Sequence, residues 1–227
     1  MNSFNMSNGA IYKYIGTESE VVVPDGVEYI ADWAFSRCNS IRKVYLPETV
    51  TEIGYGAFSC CENLCEVSFS DSISYIDERA FSECISLKSI ILPKSLEEIC
   101  MAAFEKCISL VTVVLPERLK KITHYMFSNC TAIEELDLPD SITEIQNAAF
   151  MNCQSLKRVK LPLNLKKIGG HAFSMCDSLR SIEIPPTVSK ITVTAFDSCK
   201  YIDEEMLLSQ DFDLGSVSGI GPTWIRH

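Results

Sequence analysis

Residues 84–107 read C-I-S-L-K-S-I-I-L-P-K-S-L-E-E-I-C-M-A-A-F-E-K-C, and this stretch recurs in register along most of the chain. Its Phe104 belongs to a column of eight phenylalanines spaced 23 residues apart, with an isoleucine five residues before each and a cysteine three residues after. The phenylalanines are Phe35, Phe58, Phe81, Phe104, Phe127, Phe150, Phe173 and Phe196, and the cysteines are Cys38, Cys61, Cys84, Cys107, Cys130, Cys153, Cys176 and Cys199. A period that no insertion interrupts predicts a solenoid of stacked copies of one unit.

The first part of each copy is predicted to be a short strand. Ile90 and Leu92 alternate with Ser89 and Ile91, which is the period of two typical of a strand. Pro93 ends the strand, because proline cannot donate a hydrogen bond to a neighbouring strand. The positions of Ile90 and Leu92 are apolar in every copy that has this segment, so we expect these strands to stack in parallel with one side facing a core.

The second part of each copy is predicted to be an extended turn followed by a short helix. Ile99, Ala103, Phe104 and Cys107 lie at i, i+4, i+5 and i+8, which would form one face of about two helical turns. Alanine precedes the phenylalanine in seven of the eight copies, and Met126 is the exception. The predicted fold class is therefore an α/β repeat solenoid, with a parallel β-sheet on one face and short helices and turns on the other.

The repeat also resembles a known family. The unit C-x-x-L-x-x-I-x-L-P-x-x-L-x-x-I-x-x-x-A-F in residues 84–104 is similar to the BspA-like leucine-rich repeat, and it recurs with small variations from about Val21 to Ile202. The resemblance implies a horseshoe-shaped or nearly straight solenoid and a non-enzymatic, ligand-displaying role, since relatives are often surface proteins that adhere to host or matrix proteins. Ser70 departs from the pattern, because the other repeats have proline at its position.

Three segments are predicted along the chain. Residues 1–24 are expected to hold an N-terminal β-hairpin cap, built from Ala10–Pro24, and the start of the first repeat. Residues 25–202 form the array of about eight leucine-rich repeats of 23 residues. Residues 203–227 form a C-terminal cap and tail, with a capping helix at Asp203–Gln210 and a final cap or docking segment at Gly219–His227. Such caps cover strand edges that would otherwise pair with other chains.

Charge and hydropathy exclude several classes of function. The net charge is −10, and residues 1–33 and 201–227 account for eight of these charges. Acidic ends on a nearly neutral array argue against nucleic acid as a partner. We see no basic segment followed by an apolar signal core, and no apolar run long enough to span a membrane. We therefore expect a cytoplasmic monomer that binds another protein; the alternative is a secreted or cell-surface adhesin whose leader is absent from this sequence.

The cysteines and histidines predict no cofactor, no metal and no enzymatic activity. Cysteines stacked in adjacent layers would lie about 5 Å apart, within reach of a disulfide, but their side chains point the same way. We expect each thiol in the column to donate a weak hydrogen bond to a turn carbonyl, and so many unpaired cysteines fit a reducing compartment. No C-x-x-C, G-x-S-x-G or P-loop motif is present, and the three histidines are His124, His171 and His227.

The outward side of the predicted sheet is the candidate binding site. Its residues vary from copy to copy, unlike the core columns. Ile91 and Val114 are expected to stand side by side with Ser89 and Thr112, forming a small apolar patch between charged residues. A purely structural interpretation stays open, because β-branched residues favour strands and opposite charges in adjacent layers stabilise each other. The candidate protein-binding face comprises Tyr45, Glu66, Ser89, Ile91, Thr112, Val114, Glu135, Asp137, Arg158 and Lys160.

Overall fold

The computed structural model describes residues 3–202, and in this part of the chain 17 short strands build a coil of stacked layers. Strands of three residues form what we call the first ladder: β3 (Glu20–Val22), β5 (Lys43–Tyr45), β7 (Glu66–Ser68), β9 (Ser89–Ile91), β11 (Thr112–Val114), β13 (Glu135–Asp137) and β15 (Arg158–Lys160). Strands of two residues form the second ladder: β4 (Tyr29–Ile30), β6 (Glu52–Ile53), β8 (Tyr75–Ile76), β10 (Glu98–Ile99), β12 (Lys121–Ile122), β14 (Glu144–Ile145), β16 (Lys167–Ile168) and β17 (Lys190–Ile191).

Every pairing among these ladder strands, β3 to β17, is parallel and joins residues that lie 23 positions apart. Ser89 pairs with Thr112 in the first ladder, and Tyr75 pairs with Glu98 in the second. The first ladder is divided into β3–β5–β7, β9–β11 and β13–β15, and the second into a part that ends at β10 and a part that begins at β12. The predicted parallel solenoid of 23-residue repeats is confirmed.

The phenylalanine column forms a continuous stack through the core. Neighbouring rings lie 4.7–5.7 Å apart between centroids, with interplanar angles of 2–16°. The rings from Phe35 to Phe173 are fully buried, and Phe196 at the end of the column is 6 % exposed. The residue before each ring, which is alanine in seven copies and Met126 in the other, is also buried, as expected where layers lie only about 4.8 Å apart.

The predicted short helices are wrong, because residues 3–202 contain turns at those positions and no helix. Ala102 and Lys106 adopt left-handed backbone angles, with φ of 56° and 59°, which interrupt a right-handed helix. The N–H groups of Ala102, Phe104 and Lys106 donate to carbonyls of the next layer over 2.8–3.0 Å. Those of Glu105 and Cys107 instead donate three residues back, over 3.1 and 3.3 Å. Each turn is therefore bonded to its neighbouring layer, which the i−4 bonds of a helix would not allow.

The N-terminal end carries an antiparallel hairpin, formed by β1 (Phe4–Ser7) and β2 (Ala10–Tyr14). Asn8 and Gly9 connect the two strands, both with positive φ, as the tight turn of a hairpin requires. This hairpin lies closer to the N-terminus than the predicted one, since Glu20–Val22 pairs in parallel with β5. β2 extends the second ladder by pairing with β4, and Tyr14 stacks on Phe35 with centroids 5.2 Å apart. The predicted capping helix at Asp203–Gln210 and the segment Gly219–His227 lie outside the described residues.

Candidate protein-binding face

Ile91 and Val114 form the apolar part of the candidate face. They end adjacent strands, β9 and β11, and are paired directly in the ladder, as Ser89 is with Thr112. The side chain of Ile91 is 66 % exposed and that of Val114 is 46 % exposed, whereas Ile90 between the outward positions of β9 is buried. The alternation of a short strand therefore directs two large apolar side chains into solvent at the same place.

A cluster of charges lies on the next pair of strands. Arg158 on β15 donates to Glu135 on β13 over 3.0 Å and pairs with Asp137 over 2.9 Å. The hydrogen bond from the guanidinium to Glu135, followed in size by the one to Asp137, raises the pKa of Arg158. Lys160 pairs with Asp137 in the ladder but forms no ion pair within residues 3–202. Ion pairs thus connect the two layers of the cluster, and the ammonium group of Lys160 at its edge remains available to a ligand.

An open depression of about 540 Å³ lies between Val114 of the apolar pair and the charged cluster. Val113, Val114 and Leu115 line one side of it, and Arg158 and Lys160 line the other. Val113 belongs to an inward column but is only half-buried, and it contributes to the lining of the depression. The depression has both apolar and charged walls, a combination suited to a side chain or short segment of another protein.

The ten candidate residues lie on three separate parts of the first ladder. The structure brings Ser89, Ile91, Thr112 and Val114 together on β9–β11. It brings Glu135, Asp137, Arg158 and Lys160 together on β13–β15. Tyr45 and Glu66 lie on the N-terminal sheet β3–β5–β7, where Glu66 is held by an ion pair of 3.0 Å to Lys43.

Several residues near this face were not among the candidates. Val111, which precedes β11, is 54 % exposed, and Glu117 and Asp140 line the depression. Val22 pairs with Tyr45 and is also exposed, and it was overlooked because its strand was assigned to a hairpin. Glu117 and Asp140 lie 23 residues apart, so alignment of the repeats could have placed them in one column.

The cysteine column is structural, as predicted. Cys107 donates from Sγ to the carbonyl of Phe81 over 3.3 Å, and the equivalent bond runs from each column cysteine from Cys61 to Cys199, over 3.0–3.3 Å. All 11 cysteines are free thiols. Burial raises the pKa of Cys107 to about 12, so its thiol stays protonated and keeps its donor role.

Within residues 3–202 no cluster of three His, Cys, Asp or Glu side chains is placed to hold a metal ion. His124 and His171 follow their second-ladder strands by two and three residues respectively, so they belong to different columns. Over the same described range, no helix has the length and apolar character that crossing a membrane requires.

Comparison with known proteins identifies the repeat. A family model described as the BspA type leucine rich repeat region matches residues 7–107 and 75–203. No curated protein matches the chain. The crystal structure of a leucine-rich repeat protein from T. pallidum is 28 % identical, with 91 % of this chain and 90 % of that chain covered and a TM-score of 0.62.

Two further structures are similar. A leucine-rich repeat protein from Bacteroides ovatus is 25 % identical, with 88 % of this chain and 62 % of that chain covered and a TM-score of 0.65. The pneumococcal vaccine antigen PcpA is 18 % identical, with 87 % of this chain and 72 % of that chain covered and a TM-score of 0.56. The likeness to PcpA extends to the fold alone.

Proposed function

We propose, from the premise that this chain belongs to the BspA-type leucine-rich repeat family, that it is a non-enzymatic scaffold that binds another protein through the exposed side of its first ladder. The observation that carries the proposal is the pair Ile91 and Val114, two large apolar side chains exposed side by side on adjacent strands. Apolar side chains at the centre of an interface, with polar groups around them, supply much of the binding free energy between proteins.

The surroundings of this pair support the proposal. The depression beside Val114 could receive a side chain of the partner, and Lys160 at its far wall could pair with a carboxylate. Arg158 is already bonded to Glu135 and Asp137, so these three would orient the partner more than strengthen its binding. We therefore expect a partner segment with an apolar side chain for the patch and an acidic residue nearby.

A comparison of two double variants tests the proposal. Ile91→Lys/Val114→Lys places two charges on the apolar pair. Ile85→Lys/Ile108→Lys makes the same change in the same two repeats at two isoleucines that are also exposed but lie outside both ladders. Intact chain and both variants serve as baits in a lysate of the native source, and retained proteins are identified by mass spectrometry. We expect the partner with the intact chain and with Ile85→Lys/Ile108→Lys, but not with Ile91→Lys/Val114→Lys. Equal retention by all three would refute this face.

We further propose that the protein works in the cytoplasm, because its 11 thiols are free and the column thiols act as hydrogen-bond donors. The alternative is a secreted or cell-surface adhesin, which would use the same face to bind host or matrix proteins. Recovery of extracellular proteins alone in the experiment above would favour the adhesin.

A further inference from the structure

The second ladder presents a face whose charge changes sign halfway along the solenoid. We define the second-ladder face as the outward first residue of each two-residue strand together with the residue before it. Its N-terminal half is Glu28, Tyr29, Thr51, Glu52, Ser74, Tyr75, Glu97 and Glu98, and its C-terminal half is Lys120, Lys121, Thr143, Glu144, Lys166, Lys167, Ser189 and Lys190. The first half has four carboxylates and no cation, and the second has five ammonium groups and one carboxylate. The sign changes where the ladder itself is divided, between β10 and β12.

Part of this charge is neutralised within the chain. Glu97 pairs with Arg118 over 2.7 Å, and Glu144 lies between Lys121 and Lys167, at 3.5 and 2.7 Å. The remaining charged residues of the face form no ion pair within residues 3–202, and they are Glu28, Glu52, Glu98, Lys120, Lys166 and Lys190. Three carboxylates in one half and three ammonium groups in the other are therefore available to a partner.

We propose that the second-ladder face binds a second copy of this chain in antiparallel orientation. A two-fold axis between β10 and β12 would place the strands of one copy opposite those of the other in reverse order. Glu98 would then face Lys120, Glu52 would face Lys166, and each of these contacts would occur twice.

The remaining layers agree with the same axis. Glu28 in the first layer would face the eighth layer, which carries Lys190. The layer that contains Tyr75 has no charge on this face, and it would face the layer of Glu144. The charge of Glu144 is already balanced by Lys121 and Lys167. Strands of both halves pair in the same parallel register, so the two copies have the same spacing between layers and successive layers would meet in the same order.

A second copy fits this face better than a partner with one sign of charge. A polyanion would contact only the C-terminal half and would be repelled by the N-terminal half, whereas a second copy satisfies both. A two-fold interface is also closed, so association stops at the dimer. This proposal departs from the monomer expected from the sequence, and it concerns a different surface from the first-ladder face.

Charge-reversal variants test the antiparallel dimer. Lys120→Glu/Lys166→Glu removes the net positive charge of the C-terminal half and leaves the N-terminal half acidic, and Glu52→Lys/Glu98→Lys removes the net negative charge of the N-terminal half and leaves the C-terminal half basic. We expect the intact chain to sediment as a dimer at about 20 mM salt and to dissociate at about 1 M salt. Each variant alone should be a monomer at low salt, because like charges would face each other. An equimolar mixture of the two should form a heterodimer, because every altered position then faces an opposite charge.

The controls separate this proposal from simpler electrostatic effects. Lys88→Glu/Lys94→Glu changes the net charge by the same amount outside the second-ladder face and should leave the dimer within about twofold of its original dissociation constant. Ile91→Lys/Val114→Lys should also dimerise, so that failure of the first-ladder proposal and failure of this one remain distinguishable. A monomeric intact chain at low salt, or two variants that do not associate when mixed, would overturn the dimer. Retention of the monomer on a heparin column would instead assign the basic half to polyanions.

Discussion

Replacement of Phe104 by alanine is expected to destabilise the solenoid more than any comparable change at its end. The ring is fully buried and stacked on both sides, with centroids 5.4 Å from Phe81 and 5.7 Å from Phe127. Removal of a buried phenylalanine costs about 3–5 kcal/mol, through the lost burial and the cavity that remains. We expect Phe104→Ala to be in this range, because the layers above and below hold the cavity open.

The same change at Phe196 should cost less. That ring is the last in the column, is slightly exposed, and stacks on Phe173 at 5.4 Å. We expect Phe196→Ala to cost about 1–2 kcal/mol less than Phe104→Ala, because Phe196 loses one ring contact where Phe104 loses two, and because the end layer relaxes more easily. The free energy of unfolding would be measured by urea denaturation followed by circular dichroism.

A conservative variant provides the control for this pair. Phe104→Leu keeps an apolar side chain in the layer, so its cost should be about 1 kcal/mol. Equal losses for Phe104→Ala and Phe196→Ala, or a loss below about 1 kcal/mol at Phe104, would refute the layered core.

Two further predictions concern the thiols and a tight contact. Burial raises the pKa of Cys153 from its ordinary 9.0 to about 12, so the stability that this thiol contributes is complete below pH 9 and is lost as the pH rises toward 12. Between pH 9 and pH 10 the free energy of unfolding should fall by about 1 kcal/mol on account of such a thiol. In Cys153→Ala this fall should be smaller by the same amount. A fall that is the same in Cys153→Ala and in the intact chain would contradict the prediction. Gly56→Ala should cost about 1–3 kcal/mol, since a Cβ there would lie 2.5 Å from the ring of Trp33. Ala102 adopts φ of 56° at the equivalent position, so alanine can occupy this left-handed turn at a cost in strain. Gly56→Ala should therefore cost less in a Trp33→Ala background than in the intact chain, and an equal cost in both backgrounds, measured by urea denaturation, would exclude the ring as the cause.

The core of the fold could be predicted because the repeat aligns its residues in columns. Phe104 and Cys107 have the same neighbours as their equivalents in other copies. The sequence of a single repeat was therefore enough to predict that the ring is buried and that the thiol donates a hydrogen bond to a carbonyl. The helix was predicted wrongly because the spacing from Ile99 to Cys107 matches a helical face. Asn129 and Gly56 at the turn positions carry the contrary signal, since both residue types favour the left-handed backbone that the structure has there.

The candidate face could be predicted only in part. The register of the repeat placed Ile91 beside Val114 and Glu135 beside Arg158. The depression lies beside the partly exposed Val113, at the division of the first ladder between β11 and β13. Neither follows from the pattern of residue types, because Val113 and the fully buried Ile90 occupy the same apolar column of the repeat.

The most direct test of the proposed binding face is the affinity of the partner for three purified proteins. Once the retained partner has been identified, its dissociation constant would be measured by calorimetry with the intact chain, Ile91→Lys/Val114→Lys and Ile85→Lys/Ile108→Lys. The account predicts that Ile91→Lys/Val114→Lys binds at least about 30-fold more weakly, and that Ile85→Lys/Ile108→Lys stays within about twofold of the intact chain. Equal affinity of the intact chain and Ile91→Lys/Val114→Lys would contradict it.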